Sequence, residues 1–273
     1  MEYDLRKLQL EQLTILDELK RVCVQQGLRF YLAYGSCLGA VRHRGFIPWD
    51  DDIDILMPVS DYDSLMQLGS EFGEEFFLQN NDTDPDYTLA IARIRKNNTA
   101  CVEESELNKK CHQGIYLDIY PQYQYPDRLY QRISIIVSSV LYRLLLMNSP
   151  PANHGTLIKA AGKLLLIVLS GRDREKSIAK YKGRLRKHMG TRYVADLYGM
   201  DLTLTRVIKY RQEWFQEPRW VEFEGRKMPI PTGAEGFLSE RYGSDFMKIP
   251  PEEKRQSYHR YAYVSFDQEY HEA

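Results

Sequence analysis

Leu8, Leu10, Leu13, Ile15, Leu16, Leu19 and Val22 recur at helical spacing between charged and polar residues. That period predicts an amphipathic helix, and Gly27 stands where a left-handed C-cap would end it. The apolar run Phe30-Tyr31-Leu32-Ala33-Tyr34 reads as a strand leading into Gly35-Ser36. A helix is expected over Cys37 to His43, broken by Phe46-Ile47-Pro48. Asp52 to Met57 opens with alternating acidic and apolar residues, the period of a strand. Asp61 to Phe72 predicts a further helix, capped by Ser60 or Asp61. Strand-like pieces follow at Thr88–Arg95 and Gly114–Tyr120. Phe223 to Pro231 reads as a hairpin turning at Glu224-Gly225, with a short helix from Ala234 to Tyr242 behind it. Strands and helices that mix without regular βαβ alternation favour an α+β fold.

The middle of the chain has another character. Ile133 to Met147 is apolar except for Ser134, Ser138, Ser139, Tyr142 and Arg143, and Leu157 to Leu169 is interrupted only by Lys159 and Lys163. Each stretch is shorter than the ~20 apolar residues of a spanning helix. Between Lys159 and Lys187 there are ten Lys or Arg and two acids, Asp173 and Glu175. A basic surface beside apolar helices suits an anionic membrane face. The alternative is a helical subdomain that packs its apolar faces inward and leaves its charges in water. The expected organisation is a core over residues 1–127, a helical basic and apolar subdomain over 128–215, and a C-terminal part over 216–273 that completes the site.

Composition adds exclusions. With 43% hydrophobic and 27% charged residues the chain is a folded protein, and its net charge of -1 argues against a dedicated nucleic-acid binder, although the average hides a basic middle segment. Cys23, Cys37, Cys101 and Cys111 lack zinc spacing and sit in a chain that opens without an apolar leader, so a reducing, cytoplasmic setting is expected.

The strongest chemical signal is Trp49-Asp50-Asp51-Asp52-Ile53-Asp54. On a strand Asp52 and Asp54 share a face, with Asp50 on it too if the strand starts early, while Asp51 points away. Carboxylates that close repel unless protonated or bridged, and hard oxygen donors favour Mg²⁺, with Mn²⁺ as the alternative. A solvated acidic turn or a Ca²⁺ loop are the other readings, but the run lacks the glycine and closing glutamate of an EF-hand. Asp118 lies amid apolar neighbours in Ile115-Tyr116-Leu117-Asp118-Ile119-Tyr120, where an acid is disfavoured unless it is paired, metal-bound or at a sheet edge. Gly35-Ser36, between strand and helix, offers backbone amides for phosphate oxygens. In this order the motifs match a nucleotidyltransferase-type metal site.

The stretch from Tyr34 to Asp54 resembles the signature of the LicD family of phosphotransferases, related in active-site pattern to fukutin-type ribitol-phosphate transferases. Gly114 to Pro121 resembles the family's second acidic motif, and Tyr242-Gly243, Pro250-Pro251 and Arg255 through His259 resemble its tail. Ser36 departs from the more frequent Thr, and either hydroxyl can serve. The resemblance implies a nucleotidyltransferase-like fold, expected here as a mixed sheet core with helices, to which the composition of the middle segment adds a helical, membrane-facing insertion. It implies transfer of phosphocholine from CDP-choline, or of another alcohol phosphate from its CDP donor, to a sugar hydroxyl of a membrane-linked glycan precursor of teichoic acid or lipopolysaccharide type. On that pattern Asp52, Asp54 and Asp118 are catalytic, and with Asp50 they bind one or two Mg²⁺. Asp118 is also placed to take the proton of the attacking hydroxyl. Gly35, Ser36, Arg42, His43, Trp49, Arg93, Arg95 and His259 are the candidate substrate contacts. Arg93 and Arg95 share a strand face by period two, where a solvated surface strand is the other reading. Any of the 20 Tyr and 3 Trp could cage a trimethylammonium group. The expected location is the cytoplasmic face of the plasma membrane, peripherally bound. Competing functions are nucleotidyl transfer from a nucleoside triphosphate and an inactive binding scaffold.

Overall fold

A computed structural model describes residues 3–147, 174–187, 192–200, 207–257 and 259–271. The chain divides into two compact units, one of residues 1–87, 91–121 and 213–273, the other of 88–90 and 122–212. Both are mixtures of helix and strand.

In the first unit, helix α1 (Leu5–Gln26) starts at Asp4, whose side chain accepts from the Lys7 N–H, and ends at Gly27 with φ 66°. Its apolar stripe, including Leu8, Leu13, Leu16, Leu19 and Val22, is buried. Strand β1 (Tyr31–Leu32) is only two residues long, because the chain turns into helix α2 (Tyr34–His43) at once. Gly35-Ser36 therefore belongs to the first turn of α2 and not to a turn ahead of it. Strand β2 (Asp54–Pro58) begins two residues later than the alternation suggests. Asp50, Asp51 and Asp52 lie in the loop before it. Helix α3 (Val59–Leu65) is shorter than expected and takes no side-chain cap, because Pro58 stands at the N-cap and Ser60 and Asp61 fall inside the first turn, where Asp61 accepts from the Arg29 Nε at 2.8 Å.

Strands β3 (Phe76–Gln79), β4 (Ala92–Lys96) and β6 (Tyr116–Tyr125) complete the sheet in the order β1-β2-β6-β4-β3. The expected strand at Thr88–Arg95 is shifted toward the C-terminus, and that at Gly114–Tyr120 runs on through Pro121. Proline lacks an N–H, and β6 changes antiparallel partner around it, from β4 up to Ile119 to another strand from Tyr123 on. Asp118 thus lies on a strand flanked on both sides, which removes the sheet-edge reading. Strand β5 (Ala100–Glu103) pairs antiparallel with β11 (Tyr261–Ser265), carrying the C-terminal segment back to the core. The hairpin of β9 (Pro218–Phe223) and β10 (Arg226–Pro231) turns at Glu224 and Gly225, both at positive φ. The last helix of this unit spans Ala234–Tyr242, as the pattern predicts.

The second unit holds the end of β6, strands β7 (Tyr193–Ala195) and β8 (Tyr210–Arg211), and helices α4 (Leu129–Met147) and α5 (Arg174–Leu185). By length and composition α4 could cross a membrane, although much of it is buried in the protein. The second apolar stretch, Leu157–Leu169, and the basic residues before Arg174 lie outside the described residues. The helix at Ala234–Tyr242 is α6 in chain order. All four cysteines are buried and unpaired by disulfides.

Candidate active site

The acidic loop is built by packing from several directions. Helix α1 reaches it through two buried glutamines: Gln9 Nε2 donates to the Asp50 carbonyl at 2.9 Å and Gln12 Nε2 to the Asp51 carbonyl at 2.8 Å. The start of α2 lies against it so closely that a Cβ on Gly35 would stand 2.7 Å from Asp50 Oδ2. At the foot of β2 the Asp54 N–H donates to Ser36 Oγ at 2.9 Å, so the Ser36 hydroxyl is a brace for the strand entry. Asp118 is joined to the same loop by its own N–H, which donates to the Ile53 carbonyl at 2.9 Å.

Electrostatics mark Asp50, Asp52 and Asp54 as one group. Burial, followed by the charges of Asp52, Asp118 and Asp50, raises Asp54 well above the usual carboxylate range. Burial raises Asp52 likewise, with Asp50, Asp51 and Asp118 adding to it. Asp50 is pushed up to about 6 by burial and then by Asp51. The ionised forms of these acids are disfavoured by one another, the condition that a bound cation relieves.

Asp51 behaves differently. It is fully buried, and its carboxylate accepts from the Ser257 hydroxyl, from Tyr3 Oη at 3.4 Å and from His259 Nδ1 at 3.0 Å. His259 also stands 3.9 Å from Asp52 Oδ2 and stacks on Tyr261, the ring centroids 5.6 Å apart. Burial works against a charge on His259, but the Asp51 hydrogen bond and the Asp52 charge prevail and raise it to about 9. Donor atoms of Asp51, Asp52 and His259 lie within 4.8 Å of one another. With His259 protonated and Asp51 already bonded, this group is an internal ion pair. Asp51 is a residue that period-two reasoning turned away from the site, and His259 enters as its partner. The signal was the pair Ser257 and His259 in the tail, whose destination no local pattern gives.

Asp118 is held from the sheet. Arg93, its register partner on β4, donates from Nε to Asp118 Oδ1 at 2.6 Å. The same guanidinium reaches Glu103 Oε1 at 3.0 Å and Glu106 Oε2 at 3.3 Å and lies 3.8 Å from the centre of the Tyr116 ring. Burial opposes a charge on Glu106, yet Arg93, Arg95 and Lys109 hold it down to about 2. Arg95 is 0% exposed and donates to Gln79 Oε1 at 2.7 Å and to the Gly114 carbonyl at 2.8 Å. Both arginines are therefore interior. The solvated-strand reading fails, and Arg95, expected as a substrate contact, has no surface with which to meet one. Glu103 and Glu106, which sequence reasoning passed over, neutralise the pair.

The remaining candidates line the other flank. Arg42 donates from Nη1 to the Phe246 and Lys248 carbonyls at 3.0 and 3.2 Å, tying α2 to the tail. Burial, then Arg42, lowers the His43 pKa, so its ring is neutral, and its edge meets Trp49 at 6.4 Å. Trp49 is half-buried with the Arg255 guanidinium 5.5 Å from its centre. Arg241 of α6, another residue the sequence did not single out, lies 4.7 Å from the Tyr34 ring and offsets the charge of Asp54.

Comparison with known proteins meets this geometry at its centre. Residues 27–135, which include the acidic loop, Arg93 and Asp118, match the family model described as LicD/FKTN/FKRP, nucleotidyltransferase domain. The chain is 30% identical to the lipopolysaccharide cholinephosphotransferase LicD of Haemophilus influenzae, over 93% of this chain and 96% of that protein. It is 25% identical to the uncharacterized protein RP689 of Rickettsia prowazekii over 42% of the chain and 40% of that protein. A shorter match, 46% identical over 48 residues, links 17% of the chain to 10% of human ribitol 5-phosphate transferase FKRP. A resemblance this extensive, spanning nearly both chains, makes the protein a member of the LicD family.

Proposed function

We propose that the protein transfers phosphocholine from CDP-choline to a sugar hydroxyl of a membrane-linked glycan precursor, of lipopolysaccharide or teichoic acid type, and releases CMP. The near full-length similarity to a lipopolysaccharide cholinephosphotransferase supports the transferred group and the acceptor class. The single structural observation behind the chemistry is the set of part-buried Asp50 and Asp52 and buried Asp54, whose charges raise one another while Asp118 adds its own. An all-carboxylate donor set of this kind fits Mg²⁺, with Mn²⁺ as the alternative.

Asp50, Asp52, Asp54 and Asp118 would hold the ion. Bound there, it supplies charge neutralisation for a diphosphate and for the departing CMP. The protein's own part is alignment. Gln9 and Gln12 set the loop, Ser36 sets the entry of β2, and Arg93 takes one oxygen of Asp118 and leaves Oδ2 for the site. That oxygen is the candidate acceptor of the sugar hydroxyl proton. His259 balances Asp51 and Asp52 from the tail side.

The match to ribitol 5-phosphate transferase carries a second reading, transfer of ribitol phosphate from its CDP donor. A mass-spectrometric survey of CDP-alcohols with Mg²⁺ and glycan acceptors decides between the two. The expected result is CMP release with choline phosphate on the acceptor. Turnover of CDP-ribitol alone selects the second reading. Pyrophosphate release from a nucleoside triphosphate would mean nucleotidyl transfer, and nucleotide binding without turnover a scaffold.

A further inference from the structure

Helix α4 is apolar on its inner and outer faces alike. Inward it buries Ile135, Ile136, Tyr142, Leu144, Leu145 and Leu146. Ser139 Oγ donates to the Leu197 carbonyl and Arg143 Nη2 to the Met200 carbonyl, each at 3.2 Å, which fastens that face within its own unit. Outward, the positions exposed to solvent are Leu129, Tyr130, Ile133, Ser134, Val137 and Met147, none of them charged. Leu129 is 71% exposed, Tyr130 64% and Ile133 50%. Helix α1, of similar length, exposes Arg6, Lys7, Asp17 and Arg21, as a helix facing water does. At 3.6 residues per turn, positions 129, 130, 133 and 137 fall within an arc of roughly 100°. They form one stripe.

Cations border the stripe. Exposed Arg128 contacts Tyr130 Oη at 3.4 Å. Helix α5 packs against α4, with Arg174 Nη2 donating to the Leu145 carbonyl at 2.8 Å. Residues 174–187 carry seven Lys or Arg against one Glu. An apolar stripe with an aromatic ring at one end and cations alongside is how an in-plane helix meets an anionic lipid surface. Because the inner face of α4 is fastened to protein, the helix lies along such a surface and does not cross it. A two-fold contact with a second copy would oppose one strongly cationic α5 to another, which disfavours that occupant.

We propose that the outer face of α4, flanked by Arg128 and α5, docks the protein on an anionic bilayer. The proposal rests on the reading of a membrane-linked acceptor for its purpose, and its test is read without turnover so that the two can fail separately. The full chain is sedimented with vesicles of phosphatidylcholine alone or mixed with phosphatidylglycerol, over a salt series. The expected result is at least tenfold tighter binding to the mixed vesicles, weakened by salt. Ile133→Glu/Val137→Glu should reduce that binding at least tenfold, and so should Lys180→Glu/Arg184→Glu, with circular dichroism unchanged. If the first pair fails to fold, the charge-reversed pair and the salt series decide. Absence of wild-type binding to the mixed vesicles overturns the proposal, as does full binding by either folded double variant. A concentration-dependent dimer that Ile133→Glu/Val137→Glu abolishes would assign the face to a second copy instead.

Discussion

Arg93 and Asp118 face each other across adjacent strands, joined by a hydrogen bond of 2.6 Å between side chains that are 3% and 5% exposed. The same arginine answers Glu103 and Glu106, so the removal of one cation strands several acids. Breaking a buried pair from one side costs about 3–5 kcal/mol. Arg93→Ala should therefore lose stability on that scale in chemical denaturation, and lose turnover with it. Arg93→Lys keeps the charge but not the fork, and is expected between wild type and Arg93→Ala. An Arg93→Ala protein as stable as wild type would show that the pair does not hold the sheet.

Asp54 predicts the opposite sign. Burial and its acidic neighbours raise its pKa in the folded chain, whereas in the unfolded chain it ionises freely near pH 4. At neutral pH that difference favours unfolding. Asp54→Asn should abolish turnover and stabilise the metal-free protein by about 1 kcal/mol or more, measured in chelator. Equal or lower stability would mean that the acids are not in conflict.

Gly35 allows a test of placement. Gly35 lies in the first turn of α2, where alanine suits the helix and only the end of the Asp50 side chain has to give way, so Gly35→Ala should still fold. Its new Cβ, 2.7 Å from Asp50 Oδ2, must displace that carboxylate, and turnover is expected to fall by about tenfold or more. Unchanged kinetics would remove Asp50 from the working set.

His112 sets an acid limit on the fold. Its ring stacks on Phe77, bonds Asn97 Oδ1 through Nε2 at 2.9 Å and accepts the Gly114 N–H at Nδ1 over 3.1 Å, an arrangement that requires the neutral ring. Burial, then Arg95, lowers its pKa to about 4. In the unfolded chain it protonates near pH 6.5, so its contribution is complete above that value and is lost as the pH falls toward 4. The loss is on the order of 2–3 kcal/mol. In denaturation curves between pH 7 and 4, His112→Gln should show a shallower decline than wild type, and parallel curves would refute the assignment.

Elements made by neighbouring residues were legible in the sequence. Gly27 ends α1, Glu224-Gly225 turns the hairpin and Ala234–Tyr242 is helical because each depends on contacts a few residues away. That the acidic loop and Asp118 would come together was legible, since so many carboxylates in apolar surroundings need a reason. What escaped was decided at long range. The start of β2 depends on Gln9, Gln12 and Ser36 taking up the backbone around it. Arg95 looked solvated because nothing local announces Glu106 or Gly114. Asp51 looked outward because its partners lie far away along the chain.

His259 and Asp51 are 208 positions apart. A nascent chain emerging from the ribosome therefore carries its acidic loop long before the residue that balances it exists. Until β11 pairs with β5, Asp51 and Asp52 lack that cation. Joining two residues so distant along the chain requires a long loop to close first, so the charge balance of the acidic loop is a long-range and therefore slow event of folding.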